Sequence, residues 1–119
     1  MTTQIAVGRD AGAEAGAGAA ERSSEEFQSA VEMLKLLGDE TRLRVIWALM
    51  EGEHSVNELA ELVGAQAASV SQHLAKLRLA RLVRSRREGT RIFYVIDDAH
   101  VRRLVEEVLT HADHVTAHG

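Results

Sequence analysis

From Glu25 onward, apolar residues return at three- and four-residue steps: Phe27, Ala30, Val31, Leu34 and Leu37 predict a first helix, and Gly38 stops it. Asp39 is placed to cap a second helix that continues through TRLRVIWALMEG, with Trp47 expected in the core. SVNELAELVG reads as a short third helix, with Ser55 as its cap, Glu58 completing a capping box and Gly64 ending it. The next helix covers AASVSQHLAKLRLA and buries Val70, Leu74 and Leu77. The pattern then changes to alternation. RLVRSRREGTRIFYVI places Leu82 before, and Ile92, Tyr94 and Ile96 after, a polar turn containing Glu88 and Gly89, which predicts a two-stranded antiparallel hairpin. A last helix starts near Asp97 or Asp98 and reaches about His114, carrying Val101, Leu104, Val105, Val108 and Val115 in one apolar stripe. That stripe must be covered by its own domain, by a partner, or by both.

Two short helices joined by a tight turn and followed at once by a hairpin predict a winged helix-turn-helix, mainly α with a two-stranded β-wing, in the order four helices, two strands, one helix. Residues 1–24 are Ala- and Gly-rich without a sustained period and read as a flexible tail, 25–115 as the folded domain and 116–119 as its end. With 119 residues and 45% hydrophobic content the core is modest, and with aromatics at 3% it must be built from Leu, Val and Ala. A domain this small gains from a partner subunit, so a homodimer is expected. The absence of cysteine removes disulfides, thiolate metal sites and thiol chemistry together. No apolar run is long enough to cross a bilayer and no signal-peptide pattern opens the chain, so a cytoplasmic location without membrane contact is expected.

The formal net charge of -4 argues against a polyanionic partner until its distribution is considered. Lys76, Arg78, Arg81, Arg84, Arg86, Arg87 and Arg91 cluster in a stretch where Glu88 is the only acid. A local field of that sign suits double-stranded DNA. On the second helix of the motif, the face opposite the buried stripe holds Ser69, Gln72 and Lys76, with Ser71 and His73 at its margins. Gln72 is the first choice for reading a base, while Ser71 and Lys76 equally suit phosphates. Arg84, Arg86, Arg87 and Arg91 lie in the hairpin, within reach of phosphates or the minor groove. A two-fold dimer would favour an inverted-repeat operator.

The last helix also carries chemistry. Asp98 and His100 lie at its start, and His111 and His114, three apart and on one face, at its end; carboxylate plus imidazoles is zinc chemistry. The pairs cannot meet on one straight helix, because eleven residues at about 1.5 Å each separate His100 from His111 by roughly 16 Å. An antiparallel crossing with the same helix of a second subunit would bring each start to the other's end, giving four ligands and two equivalent sites per dimer. Ordinary roles are open to each residue alone: capping for Asp98, solvent exposure for His100, the C-terminal dipole for His111 and His114. His118 is a possible further ligand. His54 and His73 have no evident carboxylate or histidine partners in the sequence and are left out of the set. An enzyme is not expected, since a metal hydrolase wants three protein ligands and an open water position.

The span from about Val31 to His114 resembles the ArsR/SmtB family of metal-sensing repressors, in LKLLGDETRLRVIWAL, SVNELAELVG, SVSQHLAKLRLARLV, REGTRIFYVIDDAHV and the terminal HADH. The D-x-H and H-x-x-H pairs resemble the subgroup that senses metal through its final helix. The resemblance implies a homodimer that represses genes for metal export or sequestration and releases DNA when metal binds at Asp98, His100, His111 and His114. The family's cysteine pair on the helix matching VNELAELVG is absent, with Ala60 and Leu62 in that region, so thiolate sensing of arsenic or lead is not expected. Zinc is the expected ion, two per dimer, with nickel or cobalt as the alternative; a winged-helix regulator without metal control is the rival reading. Histidine ligation predicts weaker metal binding in mild acid.

Overall fold

The computed structural model describes residues 21–118, the last as backbone only; residues 1–20, which hold most of the expected tail, lie outside the described residues. The chain divides into two compact units, one ending at Leu34 and one running from Lys35 onward. Helix α1 (Ser24–Leu37) supplies the described part of the first unit and runs into the second. It opens on a capping box that the sequence reading missed: Ser23 Oγ accepts from the Glu26 N–H at 3.1 Å, and the Ser23 N–H donates to Glu26 Oε1 at 2.7 Å. Leu37 is buried, whereas Phe27, Val31 and Leu34 are exposed.

The second unit contains α2 (Glu40–Met50), α3 (Val56–Val63), α4 (Ala67–Leu79), strands β1 (Val83–Glu88) and β2 (Arg91–Ile96), and α5 (Ala99–His118). Its core is aliphatic: Val45, Ile46 and Leu49 from α2, Leu59 from α3, Val70, Leu74 and Leu77 from α4, Leu82 and Val83 at the entry to the wing, and Val101 and Val105 from α5. Trp47, expected in the core, is instead 46% exposed. Val45, Ile46 and Leu49 occupy the inward arc of α2, and at 100° per residue Trp47 falls on the opposite side. There it lines an open groove with Leu43, Arg44 and Leu109.

The caps fall where the sequence places them. Asp39 accepts from the Arg42 N–H at 2.9 Å, Ser55 and Glu58 form a reciprocal box, and Gly64 closes α3 with φ +70. Three residues separate α3 from α4, the turn of a helix-turn-helix. The hairpin pairs Val83 with Ile96 through Glu88 with Arg91, and Gly89 takes the left-handed conformation its two-residue turn requires, φ +65. Residue 54 adds a short third rung, exchanging both backbone hydrogen bonds with Tyr94 at 2.8 and 3.3 Å. Helix α5 is one continuous element reaching His118, about a turn beyond the expected end, since neither glycine nor proline interrupts it before Gly119. No helix of the described residues is long and apolar enough to cross a membrane.

Candidate DNA interface and metal-ligand residues

Burial of Val70, Leu74 and Leu77 turns the opposite side of α4 to solvent, so Ala68, Ser71, Gln72, Ala75 and Lys76 form one exposed stripe at three- and four-residue steps. Gln72 and Lys76 were expected there and Ser71 only at its margin; Ala68 and Ala75 share the same period and leave Gln72 unobstructed. Ser69 is half-buried. His73 turns inward, its side chain 18% exposed, with Nδ1 3.4 Å from Arg42 Nη1 and Nε2 4.0 Å from Asp39 Oδ2. It therefore has the carboxylate neighbour that the sequence did not reveal. Arg42 also donates through Nε to the Leu36 carbonyl at 2.6 Å, so one side chain joins the end of α1, the start of α2 and α4. The Arg42 N–H, with the charges of Arg42 and His73 behind it, holds the Asp39 carboxyl below its ordinary range.

The wing is less free than its sequence suggests. Strand alternation places Arg84, Arg86 and Glu88 on one face, opposite Val95, Phe93 and Arg91. Arg86 Nε donates to Glu53 Oε1 at 2.7 Å, and Nη1 lies 3.3 Å from Glu88. Arg91 Nη2 lies 3.5 Å from Glu58 Oε2, and Arg84 Nε 3.3 Å from Asp97. The guanidiniums of Arg86 and Arg91 sit 5.0 and 4.8 Å from the Phe93 ring centre. The Arg86 hydrogen bond holds the Glu53 carboxyl below its usual value, and the Ser55 N–H does the same for Glu58. Glu58 thus serves as cap, as partner of Arg91 and, at 3.4 Å, as the carboxylate neighbour of His54, another contact the sequence did not reveal. Arg87 projects from the other face, exposed.

On α5, Val101 and Val105 are buried while Leu104, Val108 and Val115 remain exposed. Arg102 Nη1 donates to the Met50 carbonyl at 2.6 Å, tying the start of α5 to the end of α2. Asp98 caps the helix: its Oδ1 accepts from the His100 N–H at 2.7 Å. His100 Nδ1 lies 2.7 Å from Arg103 Nη2, and because a guanidinium only donates, Nδ1 is the acceptor. His111 and His114 are exposed near the far end; the His118 side chain lies outside the described residues. Among the described residues no three His, Asp or Glu side chains converge on one point within a protomer. The donor set is chemically suited to a divalent ion but divided between the two ends of one helix. Arg103, one turn from His100, was legible as a neighbour from spacing alone; Glu53 and Glu58, each 33 residues from its arginine, gave no local signal.

Residues 39–85 match the family of bacterial regulatory proteins designated arsR. The HTH-type transcriptional regulator KmtR of Mycobacterium tuberculosis is 58% identical over 84 residues, 71% of this chain and 65% of that relative, so just under two thirds of its length is spanned. A cadmium resistance transcriptional regulatory protein CadC homolog of Staphylococcus aureus is 34% identical over 89 residues, 74% of each chain. Among solved structures, the homodimeric winged helix-turn-helix DNA-binding domain of Mb0332 from Mycobacterium bovis, a possible ArsR-family transcriptional regulator, superposes with a TM-score of 0.73 at 30% identity, covering 83% of this chain and 94% of that one. With similarity sustained over most of these relatives and a family match running from the cap of α2 into the first wing strand, the chain belongs to the arsR family of bacterial regulatory proteins.

Proposed function

We propose that this regulator is a cytoplasmic, metal-responsive repressor that holds an inverted-repeat operator as a metal-free homodimer and releases it when zinc binds between the last helices, with nickel or cobalt as the alternative ion. The observation that carries this reading is the layout of α5: Asp98 and His100 at one end, His111 and His114 at the other, and an exposed apolar stripe between them. At 100° per residue, His100 and His111 return to within about 20° of one face. Two such helices crossing antiparallel would complete at each end what one protomer leaves half-made. The homodimeric state of the Mb0332 domain supports the pairing, and the cadmium resistance named for the CadC homologue supports the class of effector.

An ion held by these four residues would supply a crosslink between subunits. The chain's own residues do the rest. Gln72 reads a base edge and Ser71 and Lys76 hold phosphates, whereas Ser69 and His73, half-buried on α4, shape the helix more than they reach DNA. Asp98 keeps one carboxylate oxygen on the helix start, and His100 must give up Arg103 before Nδ1 is released or the ring changes tautomer. The coupling is the difference in metal affinity between the DNA-fitting and the non-fitting dimer.

Fluorescence anisotropy of the metal-free protein on an inverted repeat from its own upstream region, repeated with zinc, nickel and cobalt, tests this. Tight binding that zinc relieves, with relief abolished in H111A, is the expected result. Stronger relief by nickel or cobalt reassigns the ion. A second reading rests on the cap of Asp98 and the Arg103 contact of His100, which give both residues structural work: a winged-helix regulator without metal control. Equal DNA affinity with and without every metal would select it.

A further inference from the structure

The wing's cations fall into two sets. Arg84, Arg86 and Arg91 share one face, and each meets a carboxylate of its own protomer. Arg87 stands on the opposite face, and among the described residues it has no such partner. Phe93 lies directly across the ladder from Arg86 and two residues along the strand from Arg91, so both guanidiniums come to lie over its ring. Beside Glu88 of the hairpin itself, which also meets Arg86, each arginine has an acid from outside the hairpin: Glu53, from the link before α3, for Arg86, and Glu58, from the first turn of α3, for Arg91. The backbone rung between His54 and Tyr94 fastens the same segment to β2.

We infer that this cluster is a latch: Arg86 and Arg91, stacked on Phe93 and docked on Glu53 and Glu58, set the pose of the wing against α3, while Arg87, exposed toward the hairpin tip and on the opposite face from them, makes the wing's phosphate contact. Arg86 and Arg91 are then positioning residues, although sequence alone ranks all the wing arginines equally. A cation already neutralised inside the protein displaces no counterion from DNA unless it exchanges partners, whereas an unpaired one does. The inference rests on the DNA-binding reading, and its test has one arm that does not.

In the DNA-free full chain, the Arg86 Nε–Hε resonance should exchange slowly with water and be disturbed by E53Q, and the Arg91 Nη resonances should show restricted rotation that E58Q, and not E53Q, releases. Resonances that match Arg87 and ignore both substitutions overturn the latch. The second arm measures affinity against salt on a fluorescein-labelled 30-base-pair duplex of arbitrary sequence. R87Q should flatten the logarithmic slope by about 0.9 per bound protomer. R86Q, R91Q and the charge-neutral F93L should weaken binding by a constant factor at every salt concentration, without changing that slope. If R86Q or R91Q flattens the slope as R87Q does, they are phosphate contacts and the assignment is wrong. If the wild type binds no duplex at any salt, the DNA-binding reading and the role of Arg87 fall together, while the resonances still decide the latch.

Discussion

Arg81 is a strained residue whose cause is local. Helix α4 ends in a Schellman motif: Leu82 N–H donates to the Leu77 carbonyl and Arg81 N–H to that of Arg78, both at 2.9 Å, which forces Arg81 to φ +63. Glycine is the usual occupant because it has no side-chain clash there. Relief of the clash, less the extra freedom glycine has when unfolded, predicts that Arg81→Gly stabilises by ~0.5–1 kcal/mol. Thermal melting should rise by about 2–6 °C; no rise would mean that the motif carries no strain. Arg103 makes a second case. Its contact with His100 Nδ1 competes with a ligand role for that ring, so Arg103→Leu should tighten zinc binding about fivefold, the equivalent of one ordinary hydrogen bond lost by the metal-free state. Competition titration against a chromophoric chelator measures it, and unchanged affinity would place His100 outside the site.

At the scale of elements, what was legible in sequence follows a physical division. Caps, periodicity and the two-residue turn are written in neighbouring positions, so Asp39, Ser55 with Glu58, Gly64, Gly89 and the buried stripe of α4 could be read directly. Contacts between distant segments leave no such trace, so Trp47, the inward turn of His73 and the acids facing Arg86 and Arg91 emerged only with the fold. The wing latch has a defined acid limit. Glu53 faces Arg86, with Arg84 nearby, and Glu58 faces the Ser55 N–H, His54 and Arg91; both carboxyls are held below 4.5. Groups depressed in the folded state stabilise it fully above that value and lose their contribution as pH falls through the lowered one. The Arg86 Nε–Hε chemical shift should therefore hold its paired value through the ordinary carboxylate range and move to that of E53Q only as pH falls through the lowered one; a shift already at the E53Q value above that range would contradict the paired state. The tie between α5 and α2 is a separate joint. Removing the Arg102 donor to Met50 in Arg102→Met should cost about 1–2 kcal/mol in denaturant unfolding. It should also shrink the zinc-induced loss of DNA affinity more than it alters metal-free binding. A coupling equal to wild type would show that α5 reaches the reading helix by another route.

The whole molecule has to account for apolar surface that one protomer leaves in water. Phe27, Val31 and Leu34 on α1, and Leu104, Val108 and Val115 on α5, are all exposed, although each belongs to an amphipathic period. A core of small aliphatic residues gives a domain of this size little stability to spare, and burying a Leu or Val side chain completely is worth ~1.5–3 kcal/mol. A second copy covering the α5 stripe would supply that burial and, in the same act, set the half-sites of α5 against each other. The two consequences must then fail together. Val108 is 49% exposed in the protomer, so Val108→Glu should leave its fold intact while placing a charge in the middle of the proposed contact. Sedimentation equilibrium at micromolar concentration should find V108E monomeric, and zinc titration of the same sample should show loss of the tight stoichiometric site. Binding to an inverted-repeat duplex should also fall to the level of a single half-site. A monomeric V108E that still takes up one zinc tightly would locate the ligands within a single chain and end the case for an intersubunit site. A dimeric V108E would move the interface off the α5 stripe, leaving Asp98 and His100 without partners for the histidines at the other end.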